Sequence, residues 1–153
     1  MMTELITIQQ LTVALNLTRY QVDAWISRGY YKPQSDPEKG KAREFTLKDA
    51  IALGTIAAFV RLGLQAKDVG PHVGLGVYGY KDDRALFAIC EGPIRLSSEA
   101  NAAYVEPEMA APFSKLIPAK RLPDLLNDPE ITSFAIVDLN EIETRILHAL
   151  AVV

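Results

Sequence analysis

Three features predict an α+β fold for this chain. Thr7, Thr18 and Thr46 each stand in front of apolar residues at helical spacing, so the first half predicts three helices. Gly70, Pro71, Gly74, Gly76 and Gly79 then crowd ten residues and separate the two halves. Beyond them, Leu86 to Cys90 and Ser133 to Val137 have strand-like composition, and an amphipathic stretch closes the sequence. The 153 residues, 49% of them hydrophobic, suffice for one ordinary domain or two small ones.

The elements follow in order. Ile8, Leu11, Ala14 and Leu15 make one stripe of a short helix that Thr7 caps and Asn16 can stop. Thr18 caps a second helix bearing Val22, Trp25 and Ile26, which Gly29 ends by supplying a left-handed residue. Tyr30 to Pro33 is expected to be extended, because Pro33 pushes Lys32 out of the helical region, and the polar residues Gln34 to Lys41 predict a turn between two short strands. Thr46 with Asp49 three residues on resembles a capping box, and the apolar run from Ile51 to Leu62 predicts the core helix of this half, ended by Gly63. Gln65 to Val69 begins another helical segment, which the glycines and Pro71 are expected to cut short, with a domain boundary near residues 76–82. In the second half, Ile94 to Leu96 and Ala103 to Val105 are weaker strand candidates, and Leu122 to Leu126 is a short helix. Asp138 or Asn140 caps a last helix with Leu139, Ile142, Ile146, Leu147 and Leu150 on one side.

Charge and composition narrow the function. The formal net charge is −3, but residues 1–70 hold nine Lys/Arg against seven Asp/Glu, and residues 71–153 hold seven against twelve. The first half is therefore the one suited to an acidic partner. Without about 20 consecutive apolar residues no membrane span is expected, and the start MMTELITIQQ lacks the regions of a secretory signal, so a cytoplasmic address is expected. A single cysteine, Cys90, excludes an internal disulfide and a zinc finger. No nucleophile elbow, phosphate loop or metal-ligand pair at helical spacing is present, so neither catalysis nor a cofactor is expected.

The sequence NLTRYQVDAWISRGYYKP at 16–33, followed by Arg43, Phe45, Thr46 and Asp49, gives these elements a shared pattern. In order and spacing, residues 5–69 resemble the winged helix-turn-helix of the MerR family of transcriptional regulators. Asn16, Thr18 and Gly29 match the opening and close of that family's second helix. Tyr30-Tyr31-Lys32-Pro33 stands where it has Leu-Leu-x-Pro, and Gly63-Leu64 matches the turn into its next helix. The resemblance implies an N-terminal winged helix-turn-helix over residues 1–76; with the strand-like composition of the second half, the expected fold is α+β, the head being followed by a small α+β domain over 82–153 for dimerisation or effector binding. The resemblance also implies double-stranded DNA as partner and a homodimer on an inverted-repeat site.

Side chains of a recognition helix's first turn enter the major groove, so Thr18, Arg19, Tyr20 and Gln21 are the candidate base readers. Arg19 suits guanine and Gln21 suits adenine, each by two hydrogen bonds. Lys39, Lys41 and Arg43 of the wing, and Lys32 before it, suit phosphates. Two positions depart from the family: Asp23 replaces a usual arginine and Trp25 a usual tyrosine. The family's long dimerising helix is also incompatible with the glycines and Pro71, which leaves the last helix or an edge of the second-half sheet as the dimer joint. A DNA-architectural, excisionase-like accessory protein of a phage or mobile element is the alternative, as is a protein-docking module. A small-molecule or protein effector would act on the C-terminal domain.

Several residues carry plainer expectations. Trp25 packs between helices, one of Tyr30 and Tyr31 plugs the core, Asp49 is a cap, and Cys90 is an inert core residue. His72 and His148 are too far apart in sequence to indicate a metal site, and Asp82, Asp83, Glu106 and Glu108 are solvated carboxylates.

Overall fold

All three threonines start helices. The computed structural model describes residues 5–34, 42–77, 84–92 and 112–151, which form a mixed α+β molecule. Thr7 caps α1 (Ile8–Leu15), Thr18 caps α2 (Arg19–Ser27) and Thr46 caps α3 (Leu47–Arg61). In each, the threonine hydroxyl accepts from the N–H three residues on, and that residue's side chain accepts from the threonine N–H. This exchange satisfies two amide donors that a helix start leaves without partners. The stops are also where the sequence puts them: Asn16, Gly29 and Gly63 are left-handed, at φ 53°, 78° and 102°.

The strand pairing differs from the expected hairpin. β2 (Glu44–Phe45) pairs antiparallel with β1 (Ile6–Thr7), not with residues 30–33, and Ile6 and Phe45 face each other in the core. Tyr31 to Gln34 carries no strand, because Pro33 has no N–H to give and the Gln34 N–H is bound by the Asp49 carboxylate. The intervening turn lies outside the described residues.

α3 is buried almost all round, from Asp49 through Ala57 and again at Phe59, and so forms the axis of the first half. α4 (Ala66–Gly76) corrects the expectation that the glycines and Pro71 break the chain after Val69. The helix runs through Pro71 at the cost of one backbone hydrogen bond, because Val69, Val73 and Val77 recur every four residues and are buried. Packing overrides propensity here. Gly70 is needed for that packing: a Cβ there would strike the Tyr30 carbonyl.

The second half is an antiparallel sheet in the order β4-β3-β5, with β3 (Ala85–Glu91) between β4 (Phe113–Pro118) and β5 (Ser133–Asp138). Composition missed β4, whose sequence FSKLIP mixes polar and apolar residues. The weaker candidates at 94–96 and 103–105 lie outside the described residues. One sheet face, with Ala85, Phe87, Ile89, Leu116, Ala135 and Val137, joins the core of the first half. The other, with Ala88, Cys90, Phe113, Ile117 and Ile136, is covered by Leu122 and Leu125 of α5 (Leu122–Leu126), which follows a 3-10 turn at Ala119–Arg121.

α6 (Leu139–Ala151) returns to the first half. Asp138 caps it by accepting from the N–H groups of Asn140 and Glu141 at 3.1 and 3.3 Å, while the Asn140 side chain instead accepts from the Ala85 N–H at 2.8 Å. Leu139, Ile142 and Ile146 are buried in the same cluster as Leu11, Leu15 and Leu53. Gly54 permits the close approach: a Cβ there would lie 2.7 Å from Ile142 Cγ2 and 2.9 Å from Leu15 Cδ2. Phe59 of α3 meets Phe87 of β3 edge to face, with centroids 6.1 Å apart. α4 ends at Gly76, and one cluster of buried residues takes side chains from both sides of the boundary expected near 76–82.

Candidate nucleic-acid interface

α1 and α2 are joined by only three residues, Asn16 to Thr18, and α2 presents its first turn to solvent. Val22 and Trp25 turn inward and are buried, Trp25 at 7% exposure, which accounts for the tryptophan as a packing residue. Arg19, Tyr20 and Asp23 are on the outside, and the Tyr20 residue is 73% exposed. Arg19 Nε lies 3.6 Å from Asp23 Oδ2, both side chains being more than three-fifths exposed. An ion pair so exposed contributes little to stability, so the guanidinium can exchange this carboxylate for another acceptor at small cost.

Thr18 and Gln21 are engaged differently. The Gln21 carbonyl oxygen accepts from the Thr18 N–H at 2.9 Å and from its hydroxyl at 3.2 Å, while the Gln21 N–H donates to Thr18 Oγ1 at 3.1 Å. A bidentate adenine contact needs that carbonyl oxygen together with the amide nitrogen. In the free chain the Gln21 oxygen is engaged in the helix cap, so an adenine contact by Gln21 would have to replace that bond. The spacing Thr-x-x-Gln was the signal for this, and it occurs twice, at Thr7/Gln10 and Thr18/Gln21.

Asp49 organises the segment from Tyr31 to Gln34 against the start of α3, a wider role than its position three residues after Thr46 indicates. Fully buried, it accepts from the Tyr31 hydroxyl at 2.6 Å, the Gln34 N–H at 2.9 Å and the Thr46 N–H at 3.0 Å. Thr46 Oγ1 also donates to Gln34 Oε1 at 2.9 Å. Tyr31 is thus the tyrosine that plugs the core, at 3% exposure, while Tyr30 is half-buried. These bonds fix the segment carrying Lys32, which is exposed, to the start of α3. Arg43 is half-buried just before β2, and Lys39 and Lys41 lie outside the described residues. The described part of the site therefore comprises the first turn of α2, Lys32 and Arg43.

The remaining reactive groups stand apart. Burial pushes the Cys90 thiol above its ordinary range, with Lys115 acting the other way and Asp128 adding to the rise. His72 is on α4 and His148 on α6, and among the described residues no three His, Cys, Asp or Glu side chains are grouped to share a metal ion. A cleft of about 720 Å³ opens between the start of α4 and the sheet, lined by Leu64, His72, Ile89, Glu91 and Phe134 among others. No helix among the described residues is long and apolar enough to cross a membrane. No protein-family model and no curated protein matches the sequence.

Proposed function

We propose that this chain is a sequence-specific DNA-binding transcriptional regulator of MerR-like type, acting in the cytoplasm as a homodimer on an inverted-repeat site. The observation that carries this reading is the exposed first turn of α2, where Arg19 and Tyr20 project from a helix joined to its predecessor by three residues. On this reading α1 and α2 are the helix-turn-helix, and the segment between Pro33 and Phe45 is the wing. Arg19 reads guanine, Tyr20 contacts the adjoining groove wall, Lys32 with the wing's Lys39, Lys41 and Arg43 meets phosphates, and Thr18 and Gln21 hold the helix start in place. A small-molecule effector would occupy the cleft between α4 and the sheet. Replacing Arg19 and Lys32 with alanine tests the assignment. Binding should weaken by about 1–3 kcal/mol for Arg19→Ala, with relaxed preference at one base pair, and weaken uniformly across sequences for Lys32→Ala. Unchanged binding by both folded variants would remove the DNA-reading role.

Asp23 favours a second reading. A carboxylate on the outer face of α2 repels phosphates and suits a basic protein surface, as in a docking module. Binding of duplex DNA by the wild-type chain, with an affinity that falls as salt rises, would separate the first reading from this one.

A further inference from the structure

The two outer strands of the sheet, among the described residues, are built differently. β4 carries Lys115 and Pro118 and is followed at once by the turn and α5. Lysine and proline on an edge strand are the usual devices against pairing with another chain. β5, with the sequence SFAIVD, contains neither, and among the described residues no strand pairs with its outer edge. α5 packs against Ala88, Cys90, Phe113, Ile117 and Ile136, leaving Phe134 at the β5 side 40% exposed.

We infer that β5 is the dimer joint, pairing antiparallel with β5 of a second copy to make one six-stranded sheet. This deepens the dimer part of the proposed function, but it stands on the sheet and not on DNA binding. An antiparallel pair about a two-fold axis must place opposite residues on the same face of the sheet, so their positions must share parity. Centring on Ala135 satisfies this and sets Phe134 opposite the partner's Ile136 twice, an aromatic and β-branched pairing of the kind that stabilises sheets. On the other face Val137 meets Ser133. The single charge of the strand, Asp138, falls beyond this paired core, so the two copies' carboxylates stay at opposite ends, each held by Arg84 at 3.2 Å within its own chain. A second copy is thus the occupant that the strand's own pattern fits.

Light scattering after gel filtration of the full chain, without DNA, should show a dimer for the wild type and a monomer for Phe134→Lys. Leu147→Lys, at another exposed apolar residue on α6, should remain dimeric. Circular dichroism must show each variant folded. Should Phe134→Lys fail to fold, hydrogen exchange of the wild type decides: amides of Ser133 to Asp138 should become more protected as concentration rises through the dimer transition. A monomeric wild type, a folded dimeric Phe134→Lys, or concentration-independent exchange in β5 would overturn the joint. DNA binding is read in a separate titration, so loss of the joint and loss of the DNA-reading role are distinguishable.

Discussion

Arg19 and Gln21 are two positions apart and chemically alike in their capacity for paired hydrogen bonds, yet the helix start commits one and leaves the other at the surface. Thr18→Ala should cost about 1 kcal/mol of stability through the lost cap, measured by denaturant unfolding, whereas Arg19→Ala should change stability by less than about 0.5 kcal/mol. Asp23→Asn should raise affinity for specific and random duplexes alike, measured by titration at fixed salt, because it removes a charge that opposes phosphates; lower affinity would show that Asp23 orients Arg19 for its contact. The residue types of the site were legible because composition and order expose them. Which of these side chains are engaged within the chain was not, because it depends on which lone pairs are already occupied, as at Gln21 Oε1. Asp49 shows the same limit: its cap is visible in Thr-x-x-Asp, but its bonds to Tyr31 and Gln34 join residues 15 and more positions away. Tyr31→Phe should therefore destabilise the chain by about 1.5–3 kcal/mol, the range for a hydrogen bond to a charged group.

At the scale of elements, starts and stops of the first three helices were legible because they are local: a threonine in front, and a left-handed Asn16, Gly29 or Gly63 behind. α4 and β4 were not, because neither owes its form to its own sequence. α4 persists through Pro71 because three valines face the core, and the half-polar β4 follows β3 as its hydrogen-bonding partner. The pairing of β2 with β1 is likewise a contact between distant segments. Gly70→Ala measures how far packing rules α4. A glycine replaced in a helix interior ordinarily gains about 1 kcal/mol, but here the new methyl meets the Tyr30 carbonyl, and overpacking costs about 1–3 kcal/mol. Thermal unfolding should show a net loss of stability, and a gain would show that α4 can move away from Tyr30 freely.

For the whole molecule, α6 ties the end of the sheet to α1 and α3. Arg61 Nη2 adds a bond to the Leu15 carbonyl at 2.7 Å, closing the end of α1 against α3. With Leu139, Ile142 and Ile146 used inside the chain, the buried face of α6 is not available to a partner, in keeping with the joint proposed at β5. Ile146→Ala should lower stability by about 2–5 kcal/mol, and unfolding should be one transition by probes in both halves, since one core spans them. The central claim is that the first turn of α2 reads base sequence, and the most direct measurement is selection of bound duplexes from a random DNA pool at near-physiological salt, followed by sequencing. The account predicts an enriched inverted repeat for the wild type and for folded Gln21→Ala, with the preference weakened in Arg19→Ala. A folded wild-type chain that enriches no sequence would contradict it.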